Sequence, residues 1–166
     1  MLISKIRSSP TLRFRILMAV FICGLVASGV TAFPLLYELR LLARLTDAAN
    51  GHTGIQQWIL IVKNGLEDTY ARYPWIAYGT DWLAFGHIVI AMFFIGPLIN
   101  PLSARSTLWT GIFACCAVIP LALICGPVRG IPVYWRLIDC SFGVFGIVPL
   151  IYCLRLLPEI AKERAE

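Results

Sequence analysis

Residues 82–104, WLAFGHIVIAMFFIGPLINPLSA, and residues 106–128, STLWTGIFACCAVIPLALICGPV, decide the fold: neither contains Asp, Glu, Lys or Arg, and Arg105 alone separates them. At about 1.5 Å of rise per residue, each run as a helix crosses roughly 30 Å of hydrocarbon. The turn signal Asn100-Pro101-Leu102-Ser103 lies between the two apolar cores, so they read as an antiparallel pair of spans.

Working outward, residues 16–37 form another uncharged run, preceded by Lys5, Arg7, Arg13 and Arg15. A secretory signal would have a shorter apolar core and a small-x-small cleavage site. This run continues through Phe33, Pro34, Leu35, Leu36 and Tyr37, which favours a retained helix. On the C-terminal side, the apolar run 140–154 is short and reaches membrane length over 137–157, taking in Asp139 and Arg155. The sequence therefore predicts an all-α integral membrane protein, residues 1–166 forming one domain of four transmembrane helices at 16–37, 82–104, 106–128 and 137–157.

Composition agrees with that reading. Hydrophobic residues make up 59% of the 166 and charged residues 14%. So few charges would not cover the surface of a water-soluble domain of this size. The net charge of +5 comes from basic residues set mostly beside apolar runs, with no basic stripe interleaved with aromatics, and nucleic acid is not an expected partner. Six cysteines, at 23, 115, 116, 125, 140 and 153, fall in or beside apolar runs without CxxC spacing, so they read as packed thiols and no metal site is expected.

Lysines and arginines near the span ends orient the chain. With both termini cytoplasmic, the inner set is Lys5, Arg7, Arg13, Arg15, Arg105, Arg155, Lys162 and Arg164; the outer set is Arg40, Arg44, Lys63, Arg72, Arg129 and Arg136. The reading is an inner-membrane protein of a bacterium. Between the first two spans lies an external helical segment, 38–80. Its first helix covers 38–50 and stops at Gly51; a second begins after Thr53, with Ile55, Trp58, Ile59, Val62, Leu66 and Tyr70 at helical spacing. Tyr37, Tyr73, Trp75, Tyr78, Trp82, Tyr134 and Trp135 suit the outer headgroup layer.

Few residues can carry chemistry. His87 falls in the outer half of the second span, where an imidazole needs a partner: a haem, a metal, a proton relay, or a structural hydrogen bond to a neighbouring helix. Asp139 shares a helical face with Gly143, Gly146 and Leu150 and is expected to point inward, pairing with Arg129 or Arg136 or binding a cation. The loop 126–136 holds those two arginines among glycines and prolines, and can clamp an anionic group or a lipid phosphate. Asp81, His87, Arg129, Arg136 and Asp139 thus form an expected polar cluster in the outer leaflet. No phosphate loop, catalytic triad or HExxH motif is present.

Three functions follow as expectations. The first is a non-catalytic accessory or scaffold subunit that engages a membrane-protein partner or further copies of itself, requiring no cofactor. The second is a small transporter or ligand-binding membrane protein using the outer cluster. The third is a haem- or metal-dependent redox protein centred on His87.

Overall fold

The computed structural model describes residues 9–165; Lys5 and Arg7 of the expected inner basic cluster lie outside the described residues. The chain is helical without strands among the described residues. Among these residues seven α-helices follow in order: α1 (Pro10–Ala32), α2 (Leu35–Leu45), α3 (Gly54–Arg72), α4 (Ala77–Phe93), α5 (Ile95–Ile99), α6 (Arg105–Val128) and α7 (Val133–Glu163). Short 3-10 turns occupy Pro74–Ile76 and Pro101–Ser103. Four helical stretches are long and apolar enough to cross a membrane: α1, Pro74–Ile99, α6 and α7, with mean hydropathies of 2.0 to 2.3.

The helix ends differ from those expected at two proline sites and one turn. α1 starts at Pro10 and stops at Ala32, because the ring of Pro34 disfavours helical geometry at Phe33 and donates no hydrogen bond. α2 stops at Leu45, well before Gly51. There the Ala48 N–H donates to Ala43 O at 2.9 Å and the Asp47 N–H to Arg44 O at 3.1 Å, a Schellman end. Asp47 supplies the left-handed residue that motif requires, with φ 47°. α3 begins where expected, at Gly54. Thr53 caps it: the Gln56 N–H donates to Thr53 Oγ1 at 3.3 Å, and the Thr53 N–H donates back to Gln56 Oε1 at 3.1 Å.

The chain divides into two compact units. One comprises the stretch ending at Cys23 together with Ala91–Glu166. Its most extensive interface is between α6 and α7. Gly126 of α6 meets Arg136, Cys115 meets Gly143, and Gly111 meets Leu150 of α7, a register that runs antiparallel. The absence of a side chain at Gly143 is what lets α7 reach the backbone carbonyl of Cys115. Phe14, Met18, Leu108, Leu150, Cys153 and Ile160 are fully buried between these helices, and Phe21 packs edge-on against Phe94 at 4.9 Å. At one end of the unit Ser9 Oγ and Thr11 Oγ1 donate to the Glu163 carboxylate at 2.7 and 2.6 Å, which brings the start of α1 beside the end of α7.

The second unit is Gly24–Ile90. α2 and α3 pack as a helical hairpin around Leu39, Ala48 and Ile59. Gln56 Nε2 ties the hairpin turn by donating to Thr46 O at 2.8 Å. The last turns of α1 approach α4 at Gly29, where an added Cβ would lie 2.8 Å from Ala84 O and 3.1 Å from the His87 Cβ. Such small-residue contacts let helices associate by close packing where no water is present to drive them together.

Candidate functional site

The five residues expected to form a polar cluster fall in both units: Asp81 and His87 on α4 in Gly24–Ile90, and Arg129, Arg136 and Asp139 in Ala91–Glu166. On α4, His87 is partly buried and faces the α1 backbone at Gly29. Its expected partner on a neighbouring helix is replaced by one a turn back on its own: Nδ1 lies 2.8 Å from Leu83 O. A carbonyl only accepts, so Nδ1 is the donor in this bond and Nε2 takes no part in it.

Asp81 lines a concavity of about 280 Å³ with Phe33, Tyr78, Trp82 and Phe85. Tyr78, Asp81, Trp82 and Phe85 stand at i, i+3, i+4 and i+7, one face of α4. Trp82 stacks edge-on with both Tyr78, at 5.9 Å, and Phe85, at 6.0 Å. Tyr78 and Trp82 were readable as interface residues, Phe85 was not, and the contribution of Phe33 depends on where α1 ends.

In the other unit, α6 exits through a second Schellman end. The Ile131 N–H donates to Gly126 O at 2.9 Å, the Gly130 N–H to Pro127 O at 3.1 Å, and Gly130 takes φ 69°. Pro132 then starts α7, putting Arg136 on its first turn. Pairing of Asp139 with Arg129 or Arg136 is expected from sequence, but neither pair forms: the ion pairs among the described residues are Arg40 with Glu67, Lys63 with Glu67, and Arg72 with Asp68. The reason is steric. The methylene stem of Arg136 turns away from its own helix and lies over Gly126 of α6, occupying the space a side chain there would fill. Its Nε is buried and meets no acceptor among the described residues. Sequence alone placed Gly126 at the start of the loop 126–136; only the inter-helix register shows it as the seat of an arginine.

A further charged groove, about 470 Å³, runs between α2 and α3, lined by Arg40, Arg44, Asp47, Lys63 and Glu67 among others. Here Glu67 is bridged by Arg40 Nε at 2.7 Å and Lys63 Nζ at 3.3 Å. The Arg40 hydrogen bond, with help from Lys63, holds the Glu67 carboxyl below the usual glutamate range. No group of three or more His, Cys, Asp or Glu placed to hold a metal occurs among the described residues. No family model, curated protein or solved structure matches the chain.

Proposed function

We propose that this chain is an integral protein of a bacterial inner membrane, with both termini cytoplasmic and α2 and α3 outside, acting as a non-catalytic accessory or scaffold subunit of a larger membrane assembly. The observation that carries the reading is the apolar surface the chain leaves uncovered. Only 17 to 22% of the most apolar window of each candidate span is buried within the chain. Trp109, Phe113, Leu121 and Ile124 on α6, and Phe142, Phe145 and Val148 on α7, are all exposed. Water does not tolerate such faces; lipid and partner helices do. The core of each unit is built of apolar side chains, which suits a packing role.

Support for the shared side of the termini comes from the Ser9 and Thr11 hydrogen bonds to Glu163. Arg13, Arg15, Arg105, Arg155, Lys162 and Arg164 then contribute to the cytoplasmic side, as the positive-inside rule favours. Purification from native membranes in mild detergent should yield a stable species heavier than the 18.5 kDa chain, containing a second membrane protein or further copies. Recovery of the monomer alone would overturn the scaffold reading.

One contact favours a second reading, a haem- or metal-dependent redox protein. The hydrogen bond from His87 Nδ1 to Leu83 O fixes the ring and leaves Nε2 available as a ligand, the arrangement metal-binding imidazoles use. A purified protein without a haem absorption band and without stoichiometric metal would remove it.

A further inference from the structure

We infer that the α6–α7 turn is a binding site for a phosphate oxyanion, with the Arg136 guanidinium as its principal ligand. The inference rests on the membrane placement proposed above and is independent of the scaffold role. It starts from three observations that meet at one side chain. The Arg136 stem lies in the notch at Gly126, where a Cβ would overlap its Cγ and Cδ. Nε is buried with no acceptor among the described residues. None of the ion pairs of the described residues includes Arg136.

The backbone of the turn is tied into its own hydrogen bonds. Gly126 O and Pro127 O, at the end of α6, accept from the Ile131 and Gly130 N–H groups of the Schellman end. Asp139, one turn on along α7, forms no ion pair with Arg136. A snorkelling arginine would rest its methylenes on an apolar surface and keep its head groups in water. Here Nε is shielded as well, so the stem is fixed at Gly126 and the outer Nη groups are the donors that an incoming oxygen can reach.

Chemistry selects the ligand. The Nη groups of Arg136 enter none of the ion pairs among the described residues, and a planar fork of N–H donors matches two oxygens of one phosphate. At the end of a membrane-spanning hairpin, the abundant anion within reach is a lipid phosphate, and a soluble phosphate ester offers the same atoms. Arg129 caps α6 in the same turn and is exposed, adding a second positive charge to the site. Arg136 also sits in the first turn of α7, where the helix dipole favours an anion.

The test is native mass spectrometry of the full chain in neutral detergent, titrated in separate arms with phosphatidylglycerol and with inorganic phosphate. The wild type should retain one phosphatidylglycerol, and Arg136→Gln should lower its occupancy about tenfold. Arg136→Lys, which keeps charge without the fork, should also lose most of it. Gly126→Leu keeps the arginine but fills its seat, and should match the Arg136→Gln loss. If millimolar inorganic phosphate displaces the lipid, the site serves soluble phosphates; if not, the lipid headgroup is the ligand. Circular dichroism identifies any variant that does not fold, and the remaining variants then carry the comparison. Wild type retaining neither probe, or equal retention by wild type and every folded variant, would overturn the site. Resistance of the chain to alkaline extraction from membranes reads the membrane placement separately.

Discussion

At the scale of single residues, packing turns on what glycine leaves out. Gly143 gives α7 access to the Cys115 carbonyl, and a Cβ there would collide with that backbone oxygen. Gly24, by contrast, has nothing within 4 Å of an added Cβ. Gly143→Ala should therefore cost about 1–3 kcal/mol through overpacking, while Gly24→Ala should be neutral or slightly stabilising through its better helix propensity. Thermal unfolding in detergent compares them, and equal midpoints for the two variants would remove the close-packing account of the α6–α7 interface. Other residue-scale features were legible only in part. Sequence placed His87 in an apolar helix needing a partner, but a histidine can satisfy itself a turn back, as the bond to Leu83 shows. It likewise placed Arg136 and Asp139 one turn apart on α7 without revealing that Gly126 draws the arginine onto α6.

At the scale of elements, the α2–α3 hairpin shows local rules and tertiary contacts acting together. The capping box of Thr53 and Gln56 is written in neighbouring residues, so the start of α3 was readable. The end of α2 was not, because Asp47, rather than the expected glycine, adopts the left-handed conformation that stops it. Across the hairpin, Glu67 holds Arg40 and Lys63. Its folded-state pKa is depressed, chiefly by the Arg40 hydrogen bond, so its stabilising contribution is present above the unfolded glutamate pKa and lost as pH falls through the lower folded value. Wild type should thus melt above Glu67→Gln at pH 6, and the gap should close as pH drops below the usual glutamate range. The effect is small because all three side chains keep solvent contact. A gap that stays constant across that range would show that the ion cluster contributes nothing through charge.

At the scale of the whole molecule, four apolar helical stretches and a polar hairpin between the first two underlie the topology proposed above, which a reporter fusion tests. A periplasm-dependent alkaline phosphatase reporter fused after His52 should be active, and one fused after Glu166 inactive. The reverse pattern would invert the proposed orientation, and activity at both positions would require an even number of crossings between them. The sequence by itself determined that these helices exist and that hydrocarbon suits them, since a long run without charge needs only its own backbone hydrogen bonds and a matching solvent. It also determined where Thr53 starts a helix, because that effect acts within a few residues, whereas the break at Pro34 fell inside the expected span 16–37. Only the tertiary structure decided which polar groups meet: Glu67 with Arg40, Glu163 with Ser9 and Thr11, and Arg136 with the bare backbone of Gly126. Those encounters depend on the register and separation of packed helices, set by many weak contacts between residues far apart in the chain, and no local pattern encodes them.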